Sequence, residues 1–195
     1  NGYNQMEYNT SFKYHLHTEH QKEIARIGTE EFMKLIPYVL TFIPNIEKVE
    51  ILDNVQNEVL AFSKAEFSNN DSILTIQKNC NGVISQIYIL NASNSKVTIA
   101  TEVEKVDNGY EIKSHRDIPK LFCDFPLIGT EAFHFPVIVN SFYFNPQIER
   151  DGIWLKGSDD SEVVENQSLL EEALELYKSL LDKELSENFY NIFNM

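Results

Sequence analysis

Hydrophobic and polar residues follow different periods in different parts of this chain, and each period predicts a type of element. In the stretch from Asn9 to Leu16, Phe12, Tyr14 and Leu16 alternate with polar residues. Alternation with a period of two is typical of a strand that is buried on one face. We therefore expect a half-buried strand at the start of the chain.

The next stretch has helical periodicity with breaks. A capping-box pattern at residues 18–21 predicts the start of a helix, which we expect to end at Gly28. Thr29 is then expected to cap a second helix with a broad apolar face. Pro37 lies inside this second helix and should kink it or mark a new start, and Pro44 should end it.

From Ile46 to about Ile112 the chain is rich in β-branched and aromatic residues, interrupted by clusters of Asn, Asp and Gly. Such clusters are typical of turns between strands. Asn81-Gly82 in particular is a strong signal for a two-residue hairpin. This part predicts an antiparallel meander of five or six strands with one face exposed to water.

Pro119 opens an irregular segment, rich in Phe and Pro, that runs to Leu155. We expect it to pack over the sheet. Its expected buried side chains are Phe125, Leu127, Phe133, Phe135, Val137 and Val139. Residues 157–166 are acidic and small and predict a loop.

A second capping box, at residues 168–171, predicts a final helix. Its apolar positions have helical spacing, and acidic residues fill the outer face. These positions are Leu169, Leu170, Ala173, Leu174, Tyr177, Leu180 and Leu181, followed by Leu185 and Phe189. The predicted fold is therefore α+β: an antiparallel β-meander of five to six strands, with two N-terminal helices and a C-terminal amphipathic helix packed on it.

Composition narrows the possible partners. The chain has 195 residues, 43 % of them hydrophobic, which is enough for a core, and a formal net charge of −14. Such a charge repels nucleic-acid phosphates and anionic lipid surfaces, so we expect neither partner. No apolar run approaches the roughly 18 residues that a transmembrane helix needs. Cys80 and Cys123 lack CxxC spacing, which favours two buried free thiols in a reducing, cytoplasmic setting over a disulfide.

The common catalytic patterns are absent from the sequence. There is no GxSxG motif, no GxxxxGK[ST] loop and no GxGxxG loop. His15 and His17 would share one face of a strand, with His20 nearby, so a metal pair is geometrically possible. No acidic or Cys ligands complete a site, however, and we expect exposed histidines without a metal. Cys123 lies among apolar residues, where a thiol is usually inert.

Two polar features near the end of the irregular segment allow two interpretations each. Arg150 could form an ion pair with Glu149 or Asp151 or belong to a turn at Asp151-Gly152, or it could reach a phosphate that another domain presents. Asn140-Ser141 could end a strand with a side-chain turn, or it could place a polar pair near Arg150. The sequence spacing favours the structural interpretation in both cases.

The segment Pro119–Leu155 resembles part of sacsin-type proteins and their bacterial relatives. The similar pieces are "LFCDFPLIGTE", "FPVIVNS", "FYFNP" and "ERDGI". In that family the segment follows an ATP-binding module related to the heat-shock chaperone (GHKL-class) ATPases. Upstream, "IPYVLTFIPNIEKVEI" resembles the stretch that leads out of the module, and "YNTSFKYHL" resembles the last strand of the module. The likeness covers roughly residues 8–155 and is specific only over 119–155.

The resemblance implies a division of the chain and roles for three residues. Residues 1–16 would be the last strand of, or a link to, an ATPase module, and 17–195 would be a middle-type α+β domain. Arg150 would supply a cation to the terminal phosphate, and Gln147 would orient a water molecule. Thr10 would lie beside the nucleotide, although Asn9 replaces the glycine that the family pattern has before it.

The resemblance also implies cofactors and partners. The acidic residue, the Asn and the Asp-x-Gly-x-Gly loop that bind nucleotide in this class do not occur in the chain, which begins Asn1-Gly2-Tyr3. We therefore expect a fragment that is inactive alone. ATP and magnesium would be bound by a preceding ATPase module of the same longer protein, with a protein client as a further partner.

Two other functions stay open at this point. The chain could be a non-catalytic interaction module for a peptide or protein, which predicts an exposed apolar groove or sheet edge and a buried, ion-paired Arg150. It could also be a free-standing enzyme. That interpretation requires a pocket with converging polar groups, and the sequence offers no set of residues to build one.

Overall fold

The computed structural model describes residues 10–65, 72–107, 109–113, 117–157, 160–184 and 189–190. The chain divides into two compact units, Asn1–Met33 and Lys34–Met195. Helix α1 (Glu19–Phe42) begins in the first unit and ends in the second, and helix α2 (Ser161–Glu184) belongs to the second. The predicted boundary between residues 1–16 and 17–195 stays a prediction.

The strand predicted at Asn9–Leu16 is wrong where the structure describes it. Residues 10–17 belong to no strand, and the side chains of Phe12 and Tyr14 are 81 % and 84 % exposed. A strand needs a neighbour that takes up its backbone hydrogen bonds, and the described sheet provides none here. Asn9 lies outside the described residues.

The capping box at the start of α1 is confirmed. The Gln21 N–H donates to Thr18 Oγ1 at 3.2 Å, and Gln21 Oε1 accepts from the Thr18 N–H at 3.2 Å. These reciprocal bonds satisfy donors that the first turn of a helix leaves free. They explain why the helix begins at Glu19.

The predicted break at Gly28 is wrong, because α1 continues through it to Phe42. The Thr29 hydroxyl donates to Ala25 O at 2.8 Å, so it bonds back into the same helix and caps no new one. Arg26 forms ion pairs with Glu23 and Glu30 on the two sides of the glycine. Pairs at this spacing support a continuous helix. Pro37 lies within α1, whose backbone continues past it.

The predicted meander is confirmed, with six strands among the described residues between Lys48 and Ile112. These strands are β1 (Lys48–Asp53), β2 (Glu58–Lys64), β3 (Ile73–Cys80), β4 (Val83–Ser93), β5 (Thr98–Val106) and β6 (Gly109–Ile112). The Asn81-Gly82 turn joins β3 to β4, and both of its residues have positive φ, 50° and 90°. That conformation matches the twist of a two-residue hairpin.

The irregular segment contributes three short strands to the same sheet. They are β7 (Leu121–Cys123), β8 (Phe125–Pro126) and β9 (Ile138–Asn140). The strand order is β1-β2-β3-β4-β5-β9-β7-β8, and the pairs are antiparallel except β7 with β9. The first half of β5 pairs with β9, and its second half pairs with β6. Strand β6 in turn pairs in parallel with β10 (Phe189–Tyr190).

The part of the sheet formed by β5, β7 and β9 is covered on both faces. On one face Leu90, Ile99 and Val139 share a core with Leu169 and Ala173 of α2. On the other face, the rings of Tyr38 and Phe42 in α1 lie 6.3 and 5.1 Å from that of Phe122 in β7. Leu121 and Phe122 point to opposite faces because side chains alternate along a strand.

Helix α2 begins seven residues before the predicted Ser168, since its first residue is Ser161. The predicted loop at 157–166 is therefore wrong from residue 161 onward. Val163 and Asn166 are buried and continue the face of Leu169 backward at helical spacing. Because Asn166 is polar, the sequence pattern did not show that the buried face of the helix extends back to Val163. Leu185 lies outside the described residues.

The expected burial of the irregular segment is confirmed in part. Leu127, Val137 and Val139 are buried, and Phe133 and Phe135 are partly buried.

Phe125 is 50 % exposed, which contradicts the prediction that it is buried. It lies on β8 at the end of the sheet, where β7 is the only described strand that pairs with it. Both cysteines are free, as expected, but Cys80 is exposed and Cys123 is only partly buried. Cys80 lies at the outer end of β3, beside the exposed hairpin.

Candidate functional site

Arg150 lies in a tight turn that the irregular segment makes before α2. An isolated bridge joins Pro146 to Ile153, and the Gln147 N–H donates to Gly152 O at 2.9 Å. Within this turn the Arg150 N–H donates to Gln147 O at 2.9 Å, and Arg150 has a φ of 55°. A non-glycine residue in this left-handed region is uncommon and marks a position that the surroundings hold in place.

The Arg150 side chain is exposed and points back to the end of β7. Its Nη2 donates to Cys123 O at 3.2 Å. Among the residues that the structure describes, no carboxylate forms an ion pair with it, so the pair with Glu149 or Asp151 that the sequence allowed is not present there. A guanidinium carries five donors in a planar fork. One anchored nitrogen leaves the rest of the fork able to bind an anion.

The Cys123 thiol lies beside the same guanidinium. Its Sγ is 3.8 Å from Phe142 O and 3.7 Å from Phe144 O, and partial burial raises the pKa of the thiol. The positive charge of Arg150 acts in the opposite direction and lowers this pKa, the Asp124 charge raises it, and a hydrogen bond from the Arg150 side chain to the thiol lowers it further. The raised pKa leaves the thiol largely protonated near neutral pH, so Cys123 is poorly suited to act as a nucleophile.

Asn140 and Ser141, the polar pair that the sequence placed near Arg150, are both buried. Asn140 Oδ1 accepts from the Asp124 N–H at 2.8 Å. Ser141 Oγ donates to Lys96 O at 2.9 Å and accepts from the Tyr143 N–H at 3.1 Å. The pair thus satisfies backbone groups, as the structural interpretation expected, and Asn140 acts on the residue that follows Cys123.

Exposed hydrophobic residues lie on the segments that adjoin Arg150 and its contact Cys123. Phe125 pairs with Cys123 in the sheet, Phe142 and Tyr143 stack edge to face with ring centroids 5.9 Å apart, and Ile148 is 88 % exposed. We define the Arg150 surface as Arg150 together with these side chains and one further exposed residue. Its members are Phe125, Ile128, Phe142, Tyr143, Ile148 and Arg150.

Ile128 belongs to this surface through its neighbour Gly129. A side chain at Gly129 would come within 3.2 Å of Asp151 O, so the loop that carries Ile128 lies against the Arg150 turn. Several exposed large apolar side chains on adjoining segments, with a cation among them in the sequence, are typical of a surface that another molecule covers. Sequence reasoning missed this surface because Phe and Tyr positions in an irregular segment look like core positions.

The other two predicted site residues lie in different settings. Gln147 is adjacent to Arg150, but its Nε2 is directed at Ile153 O, 3.5 Å away, within the same turn. Thr10 is exposed and belongs to the first unit, whereas Gln147 and Arg150 belong to the second. The water-orienting role of Gln147 and the nucleotide contact of Thr10 stay predictions.

Two further concave surfaces lie elsewhere in the second unit. One, of about 470 Å³, is lined by Glu171, Glu172 and Glu175 of α2. The other, of about 460 Å³, lies on strands β1 to β4 and is lined by small and polar side chains such as Ala61 and Gln77.

The described residues contain neither a metal-binding cluster nor a helix suited to a membrane. There, no three His, Cys, Asp or Glu side chains are placed to hold a metal ion. His15 and His17 stack with ring centroids 6.2 Å apart. Neither described helix combines the length and the apolarity needed to span a bilayer.

Comparison with known proteins finds no match: no protein-family model, no curated protein and no solved structure is significantly similar to this chain.

Proposed function

We propose that this chain is a middle-type domain of a sacsin-like, chaperone-related ATPase, which docks on a nucleotide-binding module of the same protein through the Arg150 surface. The observation that carries the proposal is the state of Arg150. Its guanidinium is exposed, anchored by one nitrogen and free of ion pairs with described carboxylates. The resemblance of the segment 119–155 to that family supplies the identity of the partner.

The proposed chemistry is electrostatic. On docking, Arg150 would place its fork against the terminal phosphate of ATP, where negative charge is stabilised during phosphoryl transfer. ATP and magnesium would be held by the nucleotide-binding module, since no described carboxylates of this chain are grouped for a metal. This chain would contribute the cation and, through its docking, a gate on turnover.

The net charge of the chain explains why a local cation is needed for this role. A chain with a charge of −14 repels phosphate in general, so an approach to nucleotide depends on a local cation. Exposed apolar residues such as Phe142 and Ile148 would supply the docking energy, because their burial removes apolar surface from water. Together they explain why an arginine lies among hydrophobic side chains.

The test is ATP turnover in a protein that joins the nucleotide-binding module to this chain. Arg150→Ala should lower kcat by roughly 10²–10³-fold, as the loss of one transition-state donor does elsewhere. Lys156→Ala removes an exposed cation six residues further along and should leave kcat unchanged. Unchanged turnover in Arg150→Ala would show that the proposed role of the arginine is wrong.

A second candidate function uses the same surface without nucleotide. The exposed apolar side chains also suit an interaction module that binds a peptide or a protein client. In that case Ile148→Asp would abolish partner binding, whereas Arg150→Ala would leave ATP turnover unchanged. The exposed Arg150 favours the first candidate, because the interaction module was expected to bury and ion-pair it.

A further inference from the structure

We propose that Asn140 is a positioning residue for Arg150: its side chain fixes the turn at Asp124, and this turn presents the Cys123 carbonyl that holds the guanidinium. The inference rests on the function proposed above, in which Arg150 meets the partner. It concerns how the guanidinium is held before docking.

The sheet holds the Asn140 backbone in place. Asn140 is the last residue of β9 and is 6 % exposed. The sheet pairs it with Thr98 of β5 on one side and Phe122 of β7 on the other. Because both neighbours are strands, the Asn140 backbone is fixed, and so is the origin of its side chain. Its Oδ1 accepts from the Asp124 N–H at 2.8 Å.

The Asp124 amide lies in the turn between β7 and β8. Cys123 of β7 pairs with Phe125 of β8, so Asp124 alone reverses the chain between them. Its φ is 60°, in the left-handed region that a residue with a side chain rarely occupies. Such a conformation persists when surrounding contacts hold it. The Asn140 side chain supplies such a contact at the Asp124 amide.

The Cys123 carbonyl joins this turn to Arg150. The Cys123 carbonyl belongs to the peptide bond whose nitrogen is the Asp124 N–H, so a rotation of that peptide moves both groups. Arg150 Nη2 donates to this carbonyl at 3.2 Å. Arg150 is itself fixed by its bond to Gln147 O and its φ of 55°. If the peptide turns, the guanidinium loses its acceptor while its own backbone stays in place.

Cys123 provides a readout that a purely structural role of Asn140 would not change. The Arg150 charge lowers the pKa of the neighbouring thiol, against the burial and the Asp124 charge that raise it. The effect of Arg150→Met on the Cys123 pKa therefore measures how closely the guanidinium is held. If Asn140 positions Arg150, this effect depends on Asn140.

The experiment uses the full chain with Cys80→Ser, so that Cys123 is the single thiol. Alkylation by iodoacetamide is followed against pH. Arg150→Met should raise the Cys123 pKa in the otherwise unchanged protein, and this rise should be lost in the Asn140→Ala background. Ser141→Ala, which removes hydrogen bonds from an equally buried neighbour, should keep it. A full rise in the Asn140→Ala background would overturn the inference.

A second measurement covers the case in which Asn140→Ala does not fold. Arg150→Met changes an exposed side chain, and it should speed hydrogen exchange at the Asp124 amide if the two are linked through the Cys123 peptide. Ile148→Ala, in the same turn, should not change that exchange. An unchanged Asp124 exchange rate in Arg150→Met would also overturn the inference.

The two proposals fail separately. If Asn140→Ala removes the Arg150 effect on Cys123 but Arg150→Ala leaves ATP turnover unchanged, the positioning is right and the nucleotide role is wrong. If Arg150→Ala lowers turnover but the Arg150 effect on Cys123 survives Asn140→Ala, the nucleotide role stands and Asn140 does not position the arginine.

Discussion

The turn that carries Arg150 is tied to α2 by one buried side chain, and its removal should destabilise the fold measurably. Asn166 is completely buried, and it makes three hydrogen bonds to the two arms of the turn. Its Oδ1 accepts from the Asn145 N–H at 2.8 Å, and its Nδ2 donates to Asn145 O at 3.0 Å and to Trp154 O at 2.9 Å.

The expected cost follows from these bonds. A hydrogen bond within a protein contributes about 1 kcal/mol net, so the three bonds of Asn166 give about 3 kcal/mol. Asn166→Ala also leaves the Asn145 and Trp154 backbone groups without these partners, which adds to the cost unless water enters the space. We expect a loss of roughly 3 kcal/mol in the free energy of unfolding.

Urea unfolding of the full chain, followed by circular dichroism, measures this loss by linear extrapolation. Gln167→Ala is the matched control, since Gln167 is the next residue of α2 and is exposed. Its effect should stay within about 0.5 kcal/mol. A loss below about 1 kcal/mol for Asn166→Ala, or an equal loss in the control, would refute the reasoning from buried hydrogen bonds.

Two further predictions concern a buried phenol and a pair of glycines. Burial, with a smaller effect of the Glu102 charge, raises the pKa of Tyr38, so the unfolded chain loses this proton near pH 10 while the folded chain keeps it. Stability from this group is present below about pH 10 and falls above it. Above this pH, the urea midpoint should therefore fall less for Tyr38→Phe than for the unchanged protein. Equal falls would contradict the assignment. Gly82→Ala should cost about 1–2 kcal/mol in urea unfolding because Gly82 has a φ of 90°. Gly28→Ala, inside α1 and with open space around it, should instead stabilise the fold in urea unfolding by up to about 1 kcal/mol, and a loss of stability would argue against a continuous α1.

The sheet and the start of α1 could be predicted because their signals are local. Alternating β-branched residues, the Asn81-Gly82 turn and the Thr18–Gln21 capping box each act within a few residues of the chain. The first strand failed for the opposite reason. The alternation of Phe12 and Tyr14 is a local signal too, but a strand also requires a partner, and the pattern says nothing of one.

The helix boundaries depended on contacts that the pattern does not contain. Gly28 permits a break, yet the Arg26–Glu30 ion pair spans it and α1 continues. Asn166 is a residue type typical of loops, but its side chain makes three hydrogen bonds to the Asn145 and Trp154 backbone. These bonds make it part of the buried face of α2. In each case a side-chain interaction outweighed the local preference of a single residue.

The candidate site was predictable only as separate residues. Arg150 and the Asn140-Ser141 pair could be identified from the sequence, because charged and amide side chains are uncommon in so apolar a segment. Their link through Asp124 and the Cys123 carbonyl depends on two left-handed residues, whose conformation no sequence period reveals. The exposure of Phe142 and Ile148 likewise depends on where the short strands end.

The most direct test of docking through the Arg150 surface is hydrogen exchange in a protein that contains both the nucleotide-binding module and this chain. Adding a nonhydrolysable ATP analogue should slow amide exchange in the segments that carry Phe125, Phe142 and Ile148. It should leave amide exchange in β1 to β3 unchanged. Equal exchange at the Arg150 surface with and without the analogue would contradict the account.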